Sequence, residues 1–234
     1  MKYKKLVAPS LKEMFIDHME SLILSGELPV GEKLPPERNL AESMGISRSV
    51  VNSGIVELER MGFLTIRPRV GAFVADYRKR GNLDMMRAIL KQNNGRLSDD
   101  EIRSIFEVHS ALDRFVVTKV VSRITDDEIE ALYEKLENIK AQKNAKDTLV
   151  AGFEFHHELA VLSGNTLLPF IFRSYYLAVI DIWVRFYELN GADLIYQNSH
   201  HIWEALKARN LQAALQWIDG FTYEITEGKY TIYF

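Results

Sequence analysis

The sequence predicts a mainly α protein: an N-terminal winged helix-turn-helix of three helices and a two-stranded wing, followed by an all-α antiparallel bundle of about six helices. Three observations carry this. Apolar residues recur at helical spacing through residues 10–61 and again from residue 98 onward. Between them, "FLTIRPRVGAFVADY" holds two short strand-prone runs around a Pro/Arg/Gly turn. Helix-start signals stand where the helices need them, at Ser10, Ser47, Ser98 and Thr125. The organisation expected is a head over 1–78, a linker helix over 79–97 and a body over 98–234.

In the first helix, Ser10 and Glu13 have capping-box spacing. Leu11, Met14, Phe15, His18, Met19 and Leu22 form its expected apolar stripe, and Gly26 stops it. The second helix starts at Pro35 and Pro36, where proline costs little, with Glu37 at the positive end of the dipole. Leu40, Ala41 and Met44 face inward, and Gly45 ends the helix in a position that tolerates positive φ. The third starts at Ser47 and buries Val51, Ile55, Leu58 and Met61. In the body, Ser98 and Thr125 each open an acidic first turn, and Ile102, Ile105, Phe106, Leu112 and Val116 recur at helical spacing. No strand pattern follows, so a bundle is the natural fold.

Composition narrows the function. Of 234 residues 47% are hydrophobic, ample for a core, and none is cysteine, which removes disulfides and thiolate metal sites and suits a reducing cytoplasm. No apolar run is long enough for a signal peptide or a membrane span. Residues 1–80 carry 13 Lys and Arg against 10 Asp and Glu, and the remainder 16 against 22. A basic head on an acidic body is the asymmetry expected when one part meets phosphate.

The start of the third helix, "GISRSVVNSG", has little to pack. A recognition helix presents such residues to the major groove, where small side chains permit close approach. There Ser47 and Ser49 bond phosphate or base edges, Arg48 offers a fork to guanine, and Asn52 pairs with adenine or reaches phosphate.

The run from "SGELPVGEKLPPERNLAESMG" to "RVGAFV" resembles the DNA-binding domain of GntR-type bacterial transcription regulators, over about fifty residues. The resemblance implies that Arg38 contacts DNA, that Ser47, Arg48, Ser49 and Asn52 lie on the recognition helix, and that the wing tip, with Arg67 and Arg69, enters the minor groove. The wing departs from the family's Gly-Arg-Gly: Arg69, Val70 and Gly71 stand there instead. Asn52 occupies a position where the family usually has arginine.

The body's "FHHELAVLSGN" and "HHIWEALKARNLQAALQWI" resemble the ligand-sensing domain of the FadR-type subfamily. Many members hold a divalent metal with a carboxylate or amide and three histidines. By position those ligands fall on Gly152, His156, Ser199 and Phe221, so His156 alone matches and no metal cofactor is expected. The expected occupant is a small effector, an organic acid or acyl-type ligand. Polar groups on otherwise apolar faces are the candidates to meet it: His109, Asp113, His156, Arg173 and Tyr223, with Ser199 from its aligned position, and Tyr175 and Arg185 as further candidates. His109 stands where metal-binding relatives usually carry an arginine that meets an organic acid.

These features imply a cytoplasmic, homodimeric regulator that binds double-stranded operator DNA under the control of a small-molecule effector, with no membrane partner. The alternative is a metal-dependent hydrolase built on the histidines of "FHH" and "SHH". Against it, no carboxylate lies at ligand spacing from His156, and no nucleophile motif or phosphate loop occurs.

Overall fold

The structure is a computed structural model and describes residues 8–91 and 98–232. The chain divides into two compact units, 1–92 and 93–234.

The head opens with α1 (Leu11–Leu24). The Ser10 hydroxyl accepts the Glu13 N–H at 3.2 Å, and the Glu13 carboxylate accepts the Ser10 N–H at 2.7 Å, completing the capping box. The buried face is Phe15, Met19 and Ile23, not the whole stripe expected: Leu11, Met14 and His18 are exposed. Apolar residues occupy more than one face of α1, and the face that wins is the one that brings Phe15 onto the third helix.

α2 (Glu37–Met44) ends at Gly45, whose φ of 65° turns the chain, and Ser47 caps α3 (Arg48–Met61) by accepting the Val50 N–H. Val51, Gly54, Ile55 and Leu58 seal one face of α3. Gly54 is there because α1 comes too close for anything larger. A Cβ at that position would enter the edge of the Phe15 ring, itself only 3% exposed.

β1 (Leu64–Arg67) and β2 (Gly71–Val74) pair antiparallel, with Leu64 opposite Val74 and Arg67 opposite Gly71, and form the wing. Over the stretch read as a linker, the described residues form α4 (Tyr77–Arg80) and α5 (Leu83–Lys91), with Met85 and Ala88 buried in the head core. Residues 92–97 of that stretch lie outside the described residues.

Six helices make up the described body: α6 (Asp99–Val120), α7 (Asp126–Ala141), α8 (Ala145–Leu162), α9 (Leu168–Asn190), α10 (Ala192–Lys207) and α11 (Leu211–Thr226). Capping boxes at Ser98/Glu101 and Thr125/Glu128 start the first two. Short loops place α7 beside α8, α8 beside α9 and α10 beside α11, while α6 packs on α11. No described helix is long and apolar enough to cross a membrane.

Gly54→Ala should destabilise the head by about 1–3 kcal/mol, because a sealed ring cannot move aside for the added methyl. Urea denaturation followed by circular dichroism checks this.

Candidate functional site

The first turn of α3 is bare. Ser47, Arg48, Ser49 and Asn52 are all exposed. Ser47 is occupied as the cap, and its hydroxyl lies 2.9 Å from that of Ser49. The Arg48 guanidinium has no partner among the described residues. Asn52 is committed differently from the expectation: its amide donates to Glu37 at 3.0 Å, pinning α3 to α2. Arg38 pairs with Glu42 one turn along α2, both ends exposed, so the tie is weak and easily exchanged for phosphate.

At the wing, the Arg67 guanidinium lies 4.4 Å from the Phe73 ring centre. Arg67 to Val70 form a tight turn, closed by the Val70 N–H on the Arg67 carbonyl at 3.0 Å. Arg69 sits third in it with φ of 63°, where glycine or asparagine is usual. The departure seen in the sequence therefore puts a cation at the wing tip in a left-handed backbone, at a cost of about 1 kcal/mol.

In the body, α6, α8, α9, α10 and α11 enclose a recess of about 560 Å³, part of it open to solvent. His109, His156, Tyr175, Tyr176, Trp183, Asn198 and Phe221 are among its lining residues. His109 and Asp113, four apart on α6, meet His156 from α8. Nε2 of His109 lies 3.3 Å from one Asp113 oxygen, and Nδ1 of His156 lies 3.2 Å from the other. Asp113 is 5% exposed and stands behind the two rings. Burial works against its charge, but the attraction of His156 and then His109 outweighs this and holds the carboxyl below its ordinary range. Burial lowers the His109 value; Asp113 opposes the shift and His156 adds to it. At neutral pH the carboxylate is ionised and His109 neutral, so each ring turns an N–H toward Asp113.

Of the remaining effector candidates, Ser199 lines the recess with its hydroxyl donated to the Ile195 carbonyl. Arg173 and Tyr223 do not join it: both are exposed. Their helix faces look inward in the sequence only because α9 and α11 carry apolar residues on several sides. Arg185 instead donates to the Ile232 carbonyl. Sequence reasoning missed Asn198 and Tyr176, whose neighbours on α10 and α9 gave no sign of a shared recess. The Tyr176 hydroxyl is buried with no hydrogen-bond partner among the described residues, and burial first, then the Glu154 charge, push its pKa up to about 12.

The four positions aligned with the subfamily's metal ligands, Gly152, His156, Ser199 and Phe221, all converge on this recess. Their chemistry does not fit a metal. Glycine and phenylalanine offer no ligand atom, and the Ser199 hydroxyl is spent on the backbone. A Cβ at Gly152 would stand 2.9 Å from the Ile195 Cγ2, so a side chain there needs that methyl to shift. His200 and His201 lie apart, with Glu204 on α10, and do not meet His156.

Family comparison agrees with both halves. Residues 11–74 match the model described as bacterial regulatory proteins, gntR family, and residues 104–220 match the FCD domain. The chain belongs to the GntR family of bacterial regulatory proteins, with a helix-turn-helix head followed in the sequence by an FCD domain. The regulator Rv0494 of Mycobacterium tuberculosis is 28% identical over 64% of this chain and 61% of its own length, so the match spans less than two thirds of that relative. YcbG of Bacillus subtilis, another helix-turn-helix regulator, is 26% identical over 86% of this chain and 82% of its own. A solved structure of Lar, described as controlling the Listeria monocytogenes agr system, has the same fold (TM-score 0.63, 19% identity, 96% of this chain and 99% of that one).

Replacing Arg69 with glycine should stabilise the head by about 1 kcal/mol in urea denaturation, since glycine adopts the left-handed backbone freely. Asp113→Ala should destabilise the body by about 3 kcal/mol, because it leaves two buried ring N–H groups without an acceptor. Acid should act in the same direction. His109 is held below its ordinary 6.5, so the unfolded chain takes up the proton first, and stability is full above 6.5 and falls as pH drops below it. The Asp113 contribution is present above its ordinary 3.8 and is lost as pH falls through its lower folded value. Melting temperatures from pH 7.5 to 4 check this: a body equally stable at pH 7.5 and 5 contradicts the His109 assignment.

Proposed function

We propose that the head binds operator DNA through the first turn of α3, as part of a homodimer in the cytoplasm, and that a small molecule seated in the body's recess changes operator affinity. The observation that carries this is the exposed Arg48, without a partner among the described residues, beside the Ser47 and Ser49 hydroxyls on a helix whose opposite face is sealed. An arginine so placed can offer two parallel N–H donors to guanine, while the hydroxyls bond phosphate. Arg38 and the wing cations Arg67 and Arg69 add phosphate and minor-groove contacts that position the helix without reading sequence. A symmetric dimer places its two helices on half-sites about one helical turn apart.

Asn52 takes a supporting part here. Its bond to Glu37 fixes the angle between α2 and α3, and its remaining amide oxygen is left for the duplex. In the body, His109, His156 and Ser199 face the effector, while Asp113 orients both rings from behind. The effector alters operator affinity only to the extent that it binds one arrangement of the dimer better than another.

Fluorescence anisotropy on fragments from upstream of the protein's own gene, run across salt, tests the reading. Affinity should fall steeply with salt as phosphates are screened. Arg48→Ala should weaken specific binding by about 10- to 100-fold, and non-specific binding far less. Equal affinity of Arg48→Ala and the parent for the operator contradicts it.

A further inference from the structure

The bond that ties α3 to α2 also fixes which way round the Asn52 amide stands. Its Nδ2 donates to Glu37 Oε1 at 3.0 Å. A carboxylate only accepts, so the nitrogen is held against Glu37 and the oxygen takes the other arm of the amide. Glu37 is half-buried and Asn52 exposed, so the amide is held from the protein side. Among the described residues nothing donates to the Asn52 oxygen, and one of the two Nδ2 hydrogens is still free. Asn52 follows Arg48 by four residues on α3, so the two side chains share a face. That face therefore offers a guanidinium fork and, one turn further along, an amide held in one orientation.

The candidate partners of such an amide on a duplex differ in how well they match it. A phosphate oxygen can take the free N–H, but it would then stand beside the Glu37 carboxylate, and like charges repel. Guanine and thymine present an acceptor, O6 or O4, against the Asn52 oxygen. Cytosine presents its N4 amine to the oxygen and nothing to the N–H. Adenine presents both an N6 amine for the oxygen and N7 for the N–H.

We propose that Asn52 reads an adenine within about two base pairs of the guanine met by Arg48, and that Glu37 is the positioning residue that fixes the amide for it. This rests on the reading of the first turn of α3 as the DNA contact and specifies what that turn selects. Four helical residues rise roughly 6 Å, against about 3.4 Å per base pair, which sets the two-pair limit. Glu37 acts without touching the base: it decides which arm of the amide carries the acceptor.

The test is selection of duplexes from a random pool by the full chain, followed by fluorescence anisotropy on the selected duplex with each base pair replaced in turn. Each half-site should hold an A·T pair close to the pair whose preference Arg48→Ala erases, and replacing it with G·C should cost about 10-fold or more in affinity. Asn52→Ala should flatten the preference at that A·T pair and leave the guanine preference intact. In Glu37→Gln the new amide can meet Asn52 either way round, so the adenine preference should fall by about threefold or more while the guanine preference remains. Asn52→Ala that weakens every duplex equally, as loss of a phosphate contact does, or that weakens none, overturns the assignment of Asn52. So does a preference for guanine or thymine that this variant erases. An unchanged adenine preference in Glu37→Gln overturns the role of Glu37. In each of these cases a base preference lost in Arg48→Ala still upholds the reading of α3 as the DNA contact. A parent chain that enriches no sequence contradicts that reading and this proposal with it.

Discussion

The contact between Phe15 and Gly54 governs what the head can do. With no side chain on Gly54, α1 lies directly on α3, and Val51, Ile55 and Leu58 are sealed with it. A helix held this firmly along one face cannot roll, so whatever its first turn presents is presented at a fixed angle. Burial is what makes exposure useful: the Arg48 guanidinium stands in solvent on a rigid mount, and little further ordering is needed when a duplex arrives. The Asn52–Glu37 bond extends the same rigidity to α2.

The body applies a similar economy to polar groups. One buried carboxylate holds two imidazoles, one from its own helix and one from α8, each by one ring nitrogen. The recess occupies the place where the subfamily's metal ligands would converge, yet Gly152, Ser199 and Phe221 supply no coordinating set.

Much of this was legible in the sequence because the signals are local. Capping at Ser10, Ser98 and Thr125, the proline start of α2, the Gly45 turn and the strand-prone wing each depend on residues a few positions apart, and each formed as the spacing implied. His109 and Asp113 were visible as a pair because four residues on a helix share a face. What needed coordinates was long-range. Nothing local says that Asp113 and His156, 43 residues apart, share a hydrogen bond, or that the oxygen of Asn198 is spent on Trp217. Arg173 misled because the apolar residues beside it, Phe170 and Ile171, are themselves exposed, which makes an outer face read as an inner one. In α1 the same ambiguity rotated the predicted stripe away from Ile23 and toward Leu11 and His18.

The central claim, that the first turn of α3 enters the major groove of an operator, can be tested directly because the chain has no cysteine. A Ser49→Cys variant carrying a tethered iron–EDTA group should cleave bound operator fragments at two clusters of sites about one helical turn apart. A control tethered at Lys146→Cys, on the body, should leave those sites intact. Cleavage that is absent at Ser49→Cys, or indistinguishable from the control, would contradict the claim.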